Sequence, residues 1–159
     1  MAFTASNDYI TGRKPIPFPA GAEVLAVTFE IELATGDLAL NTIGQVGILP
    51  AGCVPVEVQV YHDDLDSSTA ALVMQVGIWD GSGASLSTAA ADGGAHWGVT
   101  TASTAALSEK LVRNGIALES VQRSADDRKL GVKVTTAPTT AVAGTLGVTL
   151  FYMAGRPVP

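Results

Sequence analysis

Apolar and polar residues alternate with a period of two along most of this chain. In residues 23–33, Leu25, Val27, Phe29, Ile31 and Leu33 share one side while Thr28, Glu30 and Glu32 take the other. Successive side chains of an extended chain point to opposite faces, so this is the pattern of a strand with one buried face. The same reading predicts a strand at about 38–49, where Gly44 and Gly47 signal a bulge or bend. After the turn Leu49-Pro50-Ala51-Gly52, Val54, Val56, Val58 and Val60 alternate with Glu57, Gln59 and Tyr61. Residues 70–79 place Leu72, Met74, Val76 and Ile78 together and end in the turn sequence Asp80-Gly81-Ser82-Gly83. Three further strands are expected at about 115–122, 129–136 and 145–153, the last two joined by a hairpin loop over 137–144. Between them, 81–101 is a long Gly/Ala/Ser/Thr-rich connection. Leu107 and Leu111, spaced i, i+4 ahead of Asn114-Gly115, predict a short helix over 104–113.

Seven or so strands separated by turns point to an all-β, antiparallel β-sandwich of the jelly-roll type, with at most one or two short helices. Residues 23–159 form the single sandwich domain in this reading, and residues 1–22 form an extended N-terminal arm. In the arm, Pro15, Pro17 and Pro19 alternate with Ile16 and Phe18. Each proline removes a backbone donor and holds its predecessor extended, so the strip cannot be a fully paired central strand. Ile16 and Phe18 are nevertheless too apolar for a free linker. An arm lying across a neighbouring subunit satisfies both facts, and so does an arm packed on its own domain. The first placement makes Pro15, Ile16, Pro17, Phe18 and Pro19 candidate assembly contacts. Trp97 joins them, because a loop tryptophan often marks an interface.

Composition narrows the class. Of 159 residues 47% are apolar and only 15% charged, against roughly 25% charged in ordinary soluble domains. That excludes intrinsic disorder and leaves little charge to spread over a free surface. Ala (24) and Thr (16) are abundant, which suits short strands and surfaces covered by neighbours. A net charge of −6 argues against a nucleic-acid partner. Charge is unevenly placed: residues 15–109 carry eleven acids and no base, whereas Lys110, Arg113, Arg123, Arg128, Lys129, Lys133 and Arg156 face only Glu119, Asp126 and Asp127 in the remainder. Such asymmetry hints at a partner, unless strands of the two segments pair and even it out. The uncharged stretch 38–56 is interrupted by Gly, Pro, Asn and Gln and does not suit a membrane helix. The N-terminus lacks a basic leader followed by an apolar block, so intracellular synthesis and no membrane partner are expected.

The search for chemistry is largely negative. Cys53 is the only cysteine and lies in an apolar run, where it reads as a small buried hydrophobe. His62 and His96 stand 34 residues apart without a metal-binding pairing. There is no nucleophile elbow, and Gly81-Ser82-Gly83 lacks the third glycine and strand–helix context of a dinucleotide loop. The run His62-Asp63-Asp64-Leu65-Asp66 offers closely spaced carboxylates to a hard cation, but its spacing fits no calcium loop and suits an acidic turn. Trp79 and Trp97 would suit a sugar platform only if exposed. No catalytic residue, cofactor or metal is therefore expected, and the chain reads as no enzyme.

Three stretches together resemble the jelly-roll head decoration, or cement, proteins of tailed bacteriophages: LPAGCVPVEVQVYHDDLD at 49–66, VMQVGIWDGSG at 73–83 and DDRKLGVKVTTAPTTAVAGTLGVTLFY at 126–152. The similarity spans about residues 23–153 and lies in strand–turn patterns, so it transfers no functional residue. What it implies is a non-enzymatic virion protein on the outer capsid surface, with the major capsid protein and copies of itself, as a homotrimer, for partners. The competing readings are a tail-fibre or receptor-binding module and a carbohydrate-binding sandwich. Both call for aromatic clusters, and aromatics make up only 6% of this chain.

Overall fold

The computed structural model describes residues 1–155 apart from 84, 104 and 115. Its strands are β1 (Val24–Leu33), β2 (Ile43–Leu49), β3 (Cys53–His62), β4 (Val73–Trp79), β5 (Gly98–Val99), β6 (Leu107–Lys110), β7 (Val112–Arg113), β8 (Arg128–Thr136) and β9 (Gly144–Ala154). Two short 3-10 turns, Thr35–Leu38 and Ala90–Asp92, are the helical segments among the described residues. The strands form two sheets, ordered β1-β9-β3-β6 and β2-β8-β4-β5-β7, and every pairing is antiparallel. From β1 to β4 the chain switches sheet at each turn, and the last strand returns to lie between β1 and β3. This is the jelly-roll arrangement. At Leu111 the chain passes from the first sheet to the second, so β6 and β7 are two halves of one passing strand.

The predicted alternation places the core. Val27, Phe29, Ile31 and Leu33 of β1, with Leu146, Val148, Leu150 and Tyr152 of β9, face Met74, Val76 and Ile78 of β4 and Leu130, Val132 and Val134 of β8; all are buried. Each such side chain contributes roughly 1.5–3 kcal/mol on full burial. In β3 the phase differs from the sequence reading. The register shifts between Pro55 and Glu57, so Cys53 and Pro55 point inward before the bulge and Val58, Val60 and His62 after it. Val54 and Val56 consequently face outward.

Two elements differ from expectation. Residues 104–113 hold strands β6 and β7 rather than a helix; Thr104 itself lies outside the described residues. A spacing of i, i+4 is even, so it satisfies a strand period as well as a helical one. The strand expected over 115–122 is instead a turn, in which Ser120 N–H donates to Ile116 O at 2.9 Å. Ala117, Leu118 and Val121 pack inward from it. Gly115 and the basic Arg156 lie outside the described residues.

The arm lies on its own domain. Met1, Ala2 and Phe3 run parallel to β2, with Phe3 N–H donating to Ile43 O at 3.1 Å and Ile43 N–H to Met1 O at 2.9 Å. Phe3 sits where a side chain on Gly44 would be. Asn7 Nδ2 donates to Val46 O at 2.9 Å, and the Tyr9 ring meets Phe29 edge-on, with centroids 5.0 Å apart. Tyr152 Oη donates to Pro17 O. The arm thus closes the seam between β1 and β2, the strands that begin the two sheets on one side of the sandwich.

Part of the 81–101 connection, around Leu86, covers the outer face of the second sheet at Gly77 and Gly131. Gly77 and Gly131 face each other across β4 and β8, and side chains there would stand 3.4 and 3.2 Å from Leu86. Their lack of a Cβ is what admits Leu86 onto the sheet. Arg128 ties this connection down: its guanidinium donates to Asp92 Oδ1 and Ala91 O, both at 3.2 Å, and to Cys53 O at 3.2 Å.

Candidate functional site

The residues singled out for chemistry do not converge. His62 is buried beneath the first sheet with Nδ1 donating to Asp63 O at 2.6 Å. His96 lies half-buried on the other side of the sandwich, with Nε2 3.3 Å from Asn114 Nδ2. Burial pushes its pKa down. Among the described residues no group of three or more His, Cys, Asp or Glu side chains is placed to hold a metal, and no surface pocket is found. No helix among them is long and apolar enough to cross a membrane. Burial raises the pKa of the Cys53 thiol, with a smaller push from Asp127.

The acidic run is structural. Asp66 is fully buried, and its carboxylate accepts from Ala71 N–H at 2.9 Å, Leu72 N–H at 3.2 Å and Thr140 N–H at 3.1 Å. It fastens the β3–β4 connection to the β8–β9 loop. Asp63 accepts from Thr145 N–H at 2.7 Å. That bond and the Thr145 hydroxyl hold its pKa below the ordinary value.

The candidate assembly contacts divide. Trp97, expected at an interface, is 1% exposed and donates through Nε1 to Asp92 O at 3.0 Å; it is a core residue because the loop that carries it folds against β4. Pro19 is buried, Ile16 packs half-buried against the core, and Pro15 and Pro17 are exposed. Phe18 projects, at 60% exposed. Trp79 is half-buried, with Lys129 Nζ 5.6 Å from its ring centroid.

The chain's own segments cover the seam and part of the second sheet, and the outer face of the first sheet is left bare. Its cross-strand rows follow from the register. Val24, Met153 and Val54 form one row, and Ala26, Phe151 and Glu57 the next, with Val56 at the bulge. Val24 is 50% and Val56 37% exposed. Phe18 extends this apolar end, its ring 3.7 Å from where a Gly52 side chain would begin. The middle row is Thr28, Thr149 and Gln59, and Thr28 and Thr149 share a hydroxyl hydrogen bond of 2.8 Å. Beyond it stand Glu30, whose carboxylate accepts from Tyr61 Oη, and Glu32, which accepts from Thr145 Oγ1 at 3.0 Å. Burial, followed by Glu30, pushes the Tyr61 pKa up to about 12.

The sequence reading missed this patch. The signal was present in the short runs where the alternation fails: Val24-Leu25-Ala26-Val27, Cys53-Val54-Pro55-Val56 and Leu150-Phe151-Tyr152-Met153 are apolar at both parities. A continuous apolar run marks a strand covered on both faces.

No family model matches the chain, and neither does any curated protein. Among solved structures, a chain in the capsid of Ralstonia phage GP4 is 31% identical, with a TM-score of 0.72, and the match covers 94% of this chain and 97% of that one. A chain of the cyanophage Pam1 capsid matches at 17% identity and a TM-score of 0.48, over 87% of this chain and 90% of that one. One from the capsid of Helicobacter pylori bacteriophage KHP30 matches at 15% identity and a TM-score of 0.41, over 83% and 90%.

Proposed function

This chain belongs to the family of the Ralstonia phage GP4 capsid chain that it matches, and from that membership we propose that it is a virion structural protein that binds the outside of a phage head and cements it. The observation that carries this reading is near end-to-end correspondence with a capsid chain at 31% identity. Its partners are the major capsid protein and copies of itself, assembled as a homotrimer, and it is made in the host cytoplasm before joining the head. It works by surface contact rather than by turnover.

The physical properties of the chain support the reading. Sealing a junction between capsomers calls for apolar contact with few buried unpaired charges, and this chain is only 15% charged. A decoration protein must also fold before it docks, and its sandwich has a complete core within the one chain.

Sedimentation tests it. Purified protein alone should run with the mass of a trimer. Mixed with heads assembled without it, it should co-sediment at a saturating, fixed number per head. A protein that stays in the supernatant at all concentrations would sink the proposal and return weight to a tail or glycan-binding role.

A further inference from the structure

The bare outer face of the first sheet is built in two halves. At one end, Val24, Met153, Val54, Phe151 and Val56 lie in adjacent rows. Their strands are apolar on both faces there, so the outward side is composed for cover. At the other end, β1 returns to strict alternation with Glu30 and Glu32 outward, a pattern composed for water or for charge. The carboxylates of Glu30, Glu32 and Asp63 bond only to neutral groups, and among the described residues none of them is in an ion pair. Among the described residues Lys14, whose ammonium lies over Tyr9 at the edge of the sheet, is the cation near Glu30.

We infer that this face docks onto the phage shell, and that the shell surface it fits is an apolar ridge flanked by Lys or Arg side chains that meet Glu30, Glu32 and Asp63. The inference rests on the decoration reading above and adds to it the face and the chemistry of the partner. Parts of the other large surfaces are already occupied by this chain: the arm closes the β1–β2 seam, and Leu86 of the 81–101 connection covers the second sheet around Gly77 and Gly131. Charge argues for the shell over a second copy. A copy of this chain brings a net charge of −6. Placed face to face, two copies would set three carboxylates of each against Lys14 and Arg123, the described rim cations outside an ion pair, since Arg113 is already paired with Glu57 and Glu119. Complementary potentials favour a basic partner instead and would make docking salt-dependent.

The test uses the full chain and heads assembled without it. Val24→Glu/Val56→Glu introduces two charges at exposed positions of the apolar end, and Val24→Thr/Val56→Thr removes apolar surface with little change of shape. Head affinity should fall at least tenfold for the first pair and severalfold for the second, with the melting temperature and free oligomeric mass of both unchanged. Glu30→Gln/Glu32→Gln should weaken binding severalfold at low salt and flatten its salt dependence. If wild-type protein binds heads and all three variants bind equally well, the decoration reading stands and this face is wrong. If the Val24/Val56 variants lose oligomeric mass instead of head affinity, the face belongs to a second copy and the inference fails. If wild-type protein itself does not bind heads, the decoration reading fails and takes this one with it.

Discussion

At the residue scale, Asp66 shows how a polar side chain becomes part of the fold. Alone, a fully buried carboxylate would be costly; here three amide donors surround it. Burial is the largest influence on its pKa and pushes it up, yet the amides of Thr140, Ala71, Thr139 and Leu72 together outweigh it, so the pKa lies below the ordinary value. The sign of the pH dependence follows. The stabilisation by ionised Asp66 is complete above the unfolded carboxylate pKa of about 3.9 and is lost as pH falls through the lower folded value. Asp66→Ala leaves those donors without an acceptor and should cost about 2–4 kcal/mol at neutral pH. Denaturant unfolding of both proteins from pH 7 down to pH 3 checks this: the gap between them should be constant at first and narrow once the pH passes below about 4. A gap that stays constant throughout would mean that the carboxylate charge has no part in it. The sequence presented Asp63, Asp64 and Asp66 as one acidic cluster. Nothing in their spacing says that Asp66 reaches the distant Thr140, so its role could be read only from the fold.

At the scale of elements, legibility followed the unambiguity of the period. β1, β4, β8 and β9 have long, clean alternation and lie where the pattern predicts, as does the bulge at Gln45/Gly47. Residues 104–122 were misread because their apolar spacing is compatible with either period. Trp97 was misread because a loop that folds onto a sheet leaves no local sign of doing so. The N-terminal arm was legible as extended and apolar, but not where it lies. Its placement over the β1–β2 seam gives it a share of the core. Removing residues 1–14 would expose Phe29 and β2, strip Asp37 of the Thr4 donors at 2.9 and 3.0 Å, and discard the packing of Phe3 and Tyr9. Three or four half-buried contacts of this kind amount to about 4 kcal/mol, or roughly 8–16 °C in a domain of this size. The truncated protein should therefore melt markedly earlier, as read by circular dichroism, while its folded fraction still binds heads through the first sheet. An unchanged melting temperature with lost oligomerisation or head binding would restore the arm as an assembly element.

For the whole molecule, the proposed decoration role leads to one thermodynamic consequence. A protein that binds the assembled shell, and not the separated shell subunits, shifts the equilibrium toward the shell by mass action. The gain per site grows with free protein as RT ln(1 + [L]/Kd), so it reaches about 2.7 kcal/mol at one hundred times Kd. Undecorated heads should accordingly resist heat or denaturant better as this protein is titrated in. Their disruption midpoint should rise with the logarithm of free protein once the sites are filled, for as long as decoration and disruption remain in equilibrium. If the outer face of the first sheet docks as inferred, added salt should weaken the protection without abolishing it: screening would act on Glu30, Glu32 and Asp63 but leave the burial of Val24, Val56 and Phe151 intact. Light scattering from heads heated at a series of protein and salt concentrations measures both effects. If the midpoint stays where it is in undecorated heads while sedimentation shows the protein bound, then decoration contributes no cementing and the protein serves the virion surface in another way.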